Sequence, residues 1–208
     1  PVDLKQTVNK VKEADVIIFA GGISPAVEGE EMHVNIPGFK GGDRETIELP
    51  SIQSRLLAEL KKAGKKIVFV NFSGSAIALT PESKTCDAIL QAWYPGQAGG
   101  TAIANVLFGD YNPAGRLPVT FYKSTSQLPG FEDYSMKGRT YRYMTEAPLF
   151  PFGHGLSYTT FRYGDASLST QEVKDGEQTI LTIPVSNAGE RDGEEVVQVY
   201  LRRPGDKE

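Results

Sequence analysis

Three carboxylates stand within four residues in the string Glu28-Gly29-Glu30-Glu31, a few positions after the apolar run Val16 to Ala20 and its Gly21-Gly22 turn. That spacing suits one kind of chemistry. Like charges held side by side resist ionising together, so a buried carboxyl among them is pushed towards the neutral form that a general acid needs near neutrality. If the apolar run is a buried strand of an open α/β sheet, the cluster follows its carboxyl end, where such sheets place their ligands. Acidic loops are also ordinarily solvated, and the residues alone favour that simpler reading. Downstream, Gly41-Gly42-Asp43-Arg44 brings an arginine within reach of Asp43 or of one of the glutamates for a bidentate contact, or else only caps a helix starting near Pro50. His33 lies beside the acidic cluster and is a candidate for shaping a ligand pocket, although a lone histidine is more often a surface or structural residue.

Other chemistries are disfavoured residue by residue. Gly21-Gly22-Ile23-Ser24-Pro25 lacks the G-x-G-x-x-G spacing of a dinucleotide turn, and Pro25 would disturb the start of a phosphate-binding helix. Phe72-Ser-Gly-Ser-Ala76 is not G-x-S-x-G, which argues against a serine hydrolase. Trp93, Tyr94, Tyr111, Tyr141 and Tyr143 offer faces on which pyranose rings stack, against the plainer expectation that most of them are core. Cys86 is the only cysteine, so no intrachain disulfide forms, and it suggests no metal site. No cofactor is implied.

The elements that would position the cluster follow from periodicity. Leu4 to Ala14 has helical spacing at Leu4, Val8 and Val11, followed by the strand-like run Val16 to Ala20. Pro50 opens a second helix in which Ile52, Leu56, Leu57 and Leu60 share a face, with Gly64 as its stop. Lys66 to Asn71 reads as a second buried strand, Ala88 to Tyr94 as a third, and Ala98 to Leu107 as a small-residue helix. The expected fold is a layered α/β sandwich with a mostly parallel sheet. Phe108 to Tyr158 is rich in Gly, Pro and aromatics without helical periodicity, and reads as a long aromatic arm packed on its neighbours. After Phe161 the pattern becomes that of a β-sandwich: Ala166 to Ser169, Thr179 to Val185 and Glu195 to Leu201 are strand-like. About three strands fit where a sandwich of this kind needs about seven, so this segment is expected to be a truncated β-sandwich.

The 208 residues, 39% of them hydrophobic, suffice for one or two domains with a good core. A net charge of −4 without a basic stripe argues against nucleic acid as a partner. The longest apolar stretch is too short to span a bilayer, so no membrane segment is expected. The first residue is Pro1, and the chain opens directly in a helix-like segment without the features of a signal peptide. A piece cut from a longer precursor is the expectation.

Three strings, in order, resemble signatures of the C-terminal region of glycoside hydrolase family 3: Trp93-Tyr-Pro-Gly-Gln-Ala-Gly-Gly-Thr-Ala102, Leu107-Phe-Gly-Asp-Tyr-Asn-Pro-Ala-Gly-Arg-Leu-Pro-Val-Thr-Phe121 and Phe150-Pro-Phe-Gly-His-Gly-Leu-Ser-Tyr158. The resemblance implies a retaining β-glucosidase or β-xylosidase, a periplasmic or secreted location, and an oligosaccharide substrate. It places a C-terminal α/β sandwich domain over residues 1–158, including the arm 108–158, and the start of a fibronectin type III-like domain over 159–208. In that family a barrel domain carries the aspartate nucleophile and the α/β domain carries the acid/base glutamate. The barrel, missing here, would be the partner of this chain within one polypeptide, and the chain alone would be inactive. By its place upstream of Gly42-Asp43-Arg44 and Leu49-Pro50, the acidic cluster matches the acid/base loop. Glu30 is the first choice, as the second Glu of a Glu-x-Glu pair resembling xylosidase-like members; Glu28 is second and Glu31 third. His33 and Arg44 are the candidate substrate-binding residues. The insertion Met32 to Lys40 departs from shorter family loops. A non-catalytic carbohydrate-binding module and a structural or homo-oligomerising part of the enzyme are the competing readings.

Overall fold

The computed structural model describes residues 3–29, 31–202 and 205. They fall into two compact units, one built from residues up to 101 together with 117–153, the other from 102–116 together with 154 onwards. No helix among the described residues is long and apolar enough to cross a membrane.

The first unit has the expected α/β order. Helix α1 (Leu4–Lys10) starts at Asp3, whose carboxylate accepts a hydrogen bond from the Gln6 N–H, and gives way to tight turns at Val11, before the end of its apolar pattern. Strand β1 (Val16–Gly22) leads into a two-stranded hairpin, β2 (Phe39–Lys40) and β3 (Asp43–Arg44). Helix α2 (Ser51–Lys62), strand β4 (Lys66–Phe72), helix α3 (Thr80–Thr85), strand β5 (Ala88–Gln91) and helix α4 (Gly99–Phe108) follow. The three long strands form one parallel sheet in the order β1-β4-β5, with Val16 opposite Lys66 and Gly22 opposite Phe72. Parallel neighbours need a crossover between them, and α2 and α3 are those crossovers.

Central β4 is buried on both faces, with Ile67, Phe69, Val70 and Asn71 all at or near zero exposure. From α2, Leu57 and Leu60 pack on Ile67 and Phe69 in a core completed by Ile23, Phe39, Leu49, Ile77 and Leu79. Each such side chain contributes about 1.5–3 kcal/mol of burial. Ile52, expected on the same face as Leu57, instead stands exposed at the first turn of α2. Edge strand β1 alternates, leaving Val16 and Ile18 half exposed.

The arm carries little regular structure, as its composition suggests. Within the first unit it holds a 3₁₀ turn at Thr125–Gln127, helix α5 (Thr140–Tyr143), and a bridge pairing Phe121 with Phe150. Phe121 is buried edge-on between Trp93 (6.0 Å) and Phe150 (6.4 Å). At its other fixed point, the N–H and hydroxyl of Thr125 both donate to Glu48, at 2.8 and 2.6 Å.

The second unit opens within α4 and is tied together by polar side chains. Asn112 accepts from Ser157 Oγ and the Tyr158 N–H and donates to the Asp192 carbonyl, while Glu195 takes Arg116 and Tyr163, each at 2.7 Å. Its strands form two antiparallel pairs: β6 (Phe161–Tyr163) with β9 (Val185–Asn187), and β7 (Ser167–Leu168) with β8 (Leu181–Thr182). Two strand expectations are corrected here. Thr179 to Val185 is split into β8 and β9, because Pro184 has no N–H to give to a ladder. Glu195 to Leu201 forms no strand among the described residues.

The Glu48 clamp makes stability depend on pH. Burial alone would raise its carboxyl, but the two Thr125 donors outweigh it and hold the group below its ordinary 4.5. A depressed folded value means stability that is complete above the unfolded value and lost as pH falls through the folded one. Glu48→Gln is therefore expected to lower the urea midpoint at pH 7, and its gap from the parent chain to close as pH drops from 4.5 through the folded value. A gap that stays constant would show that the charge of Glu48 contributes nothing.

Candidate active site

The carboxyl ends of β1, β4 and β5 converge, and each runs into a loop bearing one part of the site. After β1, Ile23 turns inward and donates its N–H to Phe72 O, and a helical turn closed by Glu28 N–H to Ser24 O (3.0 Å) presents Glu28. After β4 comes Ser73-Gly74-Ser75-Ala76, and after β5 come Trp93 and Tyr94.

Arg44 joins these loops. Its Nη1 lies 3.9 Å from Glu28 Oε1 and donates to Ser75 Oγ (2.8 Å) and the Ala76 carbonyl (3.3 Å), while Nε donates to Thr46 O (3.3 Å). Tyr94 donates its hydroxyl to the other oxygen of Glu28 at 3.4 Å. Arg44 is nine-tenths buried, and its Nη2 has no hydrogen-bond partner among the described residues. Burial pulls the guanidinium down from its usual range, opposed by the negative charges of Glu28 and Glu48. Burial also raises the Tyr94 phenol, with Glu28 adding to the effect, so near neutrality Tyr94 keeps its proton and donates.

Local sequence explains the geometry. Gly41 and Gly42 carry φ of +63° and +91°, the pair of left-handed conformations that a tight two-residue hairpin requires, so β3 returns beside β2 and delivers Arg44 inward. The turn also docks on the acidic loop: Met32 N–H donates to Gly41 O at 2.9 Å, and a Cβ on Gly42 would overlap the carbonyl of Gly29. Gly74 is the seat of the Tyr94 ring, since a Cβ there would stand 2.7 Å from the ring carbon Cε2. Trp93 holds a left-handed φ of +56°, a strained state for a non-glycine residue that turns the chain towards Glu28.

Of the residues singled out in the sequence, Glu28 and Arg44 are brought together. Glu31 is exposed with φ of +51°, and His33 is exposed, with no described hydrogen bond or ion pair to Glu28 or Arg44. Glu30 lies outside the described residues. Arg44 takes Glu28 rather than Asp43 as its carboxylate partner. Tyr94 was legible only as an aromatic face, and Ser75 only as a serine in the wrong setting for a nucleophile; their roles here are to bond Glu28 and Arg44. Nothing in the local pattern marked Gln53, whose amide meets both backbone groups of Gly22.

A carboxylate loop, a buried arginine and a tyrosine stand together at the strand ends of a parallel sheet, the edge at which open α/β sheets place their ligands. The model of the glycosyl hydrolase family 3 C-terminal domain matches residues 1–158, and the chain belongs to glycoside hydrolase family 3. It is 59% identical over 97% of its length to a xylan 1,4-β-xylosidase of Xylanibacter ruminicola, covering 23% of that protein. To a periplasmic β-glucosidase of Salmonella typhimurium it is 38% identical over 96% of its length, covering 26%. Among solved structures, a β-glucosidase from Erythrobacter marinus superposes with a TM-score of 0.77 at 36% identity, over 91% of this chain and 25% of that one. A family 3 exo-β-xylosidase bound to a xylobiose aziridine probe gives 0.73 at 30% identity, over 92% of this chain and 27% of that one. The chain thus spans about a quarter of the length of the relatives it matches.

The hairpin turn gives a test of how tightly the acidic loop is held. Gly41→Ala adds only backbone strain, because its Cβ would meet nothing within 4 Å, and should destabilise by roughly 1 kcal/mol. Gly42→Ala adds the overlap with Gly29 and should destabilise by roughly 3 kcal/mol or more, read by urea unfolding. Equal losses at the two positions would mean that the turn does not press on the loop.

Proposed function

We propose that this chain is the acid/base half of a retaining β-glycosidase that removes terminal β-linked xylose or glucose from oligosaccharides. Residues 1–158 serve as its C-terminal α/β domain and 159–208 as the opening of a fibronectin type III-like module. A barrel domain of the same polypeptide supplies the nucleophile. The observation that carries the reading is the loop of Glu28 to Glu31 at the converging strand ends of a family 3 domain, with Glu28 against Arg44 and Tyr94. The higher identity to the relative named as a xylosidase favours xylose over glucose.

The chemistry divides between two carboxyl groups about 5–5.5 Å apart. A protonated glutamate of this loop gives its proton to the leaving oxygen as the barrel carboxylate attacks the anomeric carbon. The same glutamate, now a base, takes a proton from the water that releases the sugar. Glu30 is the first choice for this role, Glu28 the second and Glu31 the third. Arg44 and Tyr94 hold the loop in place through Glu28, and His33 and Arg44 are the residues of this chain proposed to meet the sugar.

Two outcomes follow. The purified 208-residue chain should release no nitrophenol from aryl β-xylosides or β-glucosides, because one carboxylate cannot complete the cycle. Steady release by the chain alone overturns the division of labour. In the full-length enzyme, Glu30→Gln should cut kcat/KM about a hundredfold or more on glycosides with poor leaving groups, and far less on activated aryl glycosides. The same pattern from Glu28→Gln, with Glu30→Gln little affected, transfers the role to Glu28.

A further inference from the structure

The loop that bears Glu28 leaves the sheet at Gly22, and there a side chain from another element intervenes. Gln53, in the first turn of α2, donates Nε2 to Gly22 O at 2.7 Å and accepts the Gly22 N–H on Oε1 at 2.8 Å. One planar amide thereby satisfies both backbone groups of Gly22, as a neighbouring strand would, and it does so where edge strand β1 ends. The two glycines make room for it. A Cβ on Gly21 would stand 2.5 Å from Gln53 Oε1, and one on Gly22 would overlap the carbonyl of Phe72. Gly22 has φ of +122°, a turn that side chains resist, so the chain changes direction at the residue that the amide grips.

On one side of this point the chain is anchored, Ile23 being buried in the core with its N–H on Phe72 O. On the other, a hollow of about 680 Å³, lined by Gly21, Gly22, Val27, Ile36, Gln53 and Phe72, lies between the start of the loop and α2. Beside that space the amide is a direct link from α2 to the root of the loop. We infer that Gln53 is a positioning residue for the acid loop, setting through Gly22 where the catalytic carboxylate stands relative to the glycosidic oxygen. The inference rests on the reading that this loop supplies the acid.

A residue acting this way should affect protonation of the leaving group more than substrate binding or the attack on the sugar. In the full-length enzyme, Gln53→Met preserves the side chain's length and removes both hydrogen bonds. It should lower kcat/KM about tenfold or more on xylobiose and on aryl xylosides with poor leaving groups, since a misplacement of about 1 Å is enough for such losses. On dinitrophenyl xyloside, whose departure needs no proton, kcat/KM should stay within about threefold, because only the later, base-assisted release of the sugar still calls on the carboxylate. If the methionine variant does not fold, Gln53→Glu keeps the acceptor for Gly22 N–H but sets a carboxylate oxygen against Gly22 O in place of the donor; it should show the same split. Equal losses on both leaving groups, or none on either, overturn the inference. Glu28→Gln, Glu30→Gln and Glu31→Gln, measured alongside, separate the two layers: if none shows the leaving-group split, the loop is not the source of the acid and the function proposed above fails on its own account.

Discussion

The parallel pairing of β1, β4 and β5 is the constraint on which the remainder of the site depends. Parallel strands put all their carboxyl ends on one edge, so residues distant in sequence, Glu28, Ser75 and Tyr94, arrive together without any long-range ordering of loops. The buried centre of the sheet pins this arrangement. Ile67 and Phe69 of β4 are held by Leu57 and Leu60 of α2, and the same helix carries Gln53 at its other end, so core packing and loop placement share one rigid element.

That edge carries local costs. Among the described residues, desolvated Arg44 has one buried nitrogen unpaired, and Asn71, next to last in strand β4, has a buried side-chain oxygen without a partner. Each such group costs about 1–3 kcal/mol. Trp93 adds a left-handed backbone. Elsewhere in the first unit, Glu82 of α3 and Thr120 of the arm carry buried oxygens of the same kind, and Thr140 a left-handed backbone, so the edge shares this burden with the rest of the unit.

The parts of this architecture governed by periodicity were legible in the sequence. The three strands of the sheet and α2 announce themselves through their apolar residues, and α4 through its run of small residues. Helix α3 does not, being six residues long with Pro81 in its first turn and Glu82 rather than an aliphatic residue as its buried side chain. The hairpin of Phe39 to Arg44 is similarly quiet: two residues per strand leave no alternation to read, and only Gly41-Gly42 hints at the turn. Family resemblance made the acidic loop interpretable. The bonds from Tyr94 to Glu28 and from Gln53 to Gly22 depend on elements meeting across 66 and 31 residues, and no local pattern encodes such meetings.

The contact of Gly42 with Gly29 has a mechanical consequence. Two backbones that approach so closely cannot slide independently, so the hairpin and the acidic loop share their degrees of freedom. The nine residues from Met32 to Lys40 are thereby closed at their base, Met32 by its N–H to Gly41 O and the preceding Gly29 by its close approach to Gly42. A loop gains reach from its length but accuracy from a strut, and here one stretch of chain provides the strut for the other.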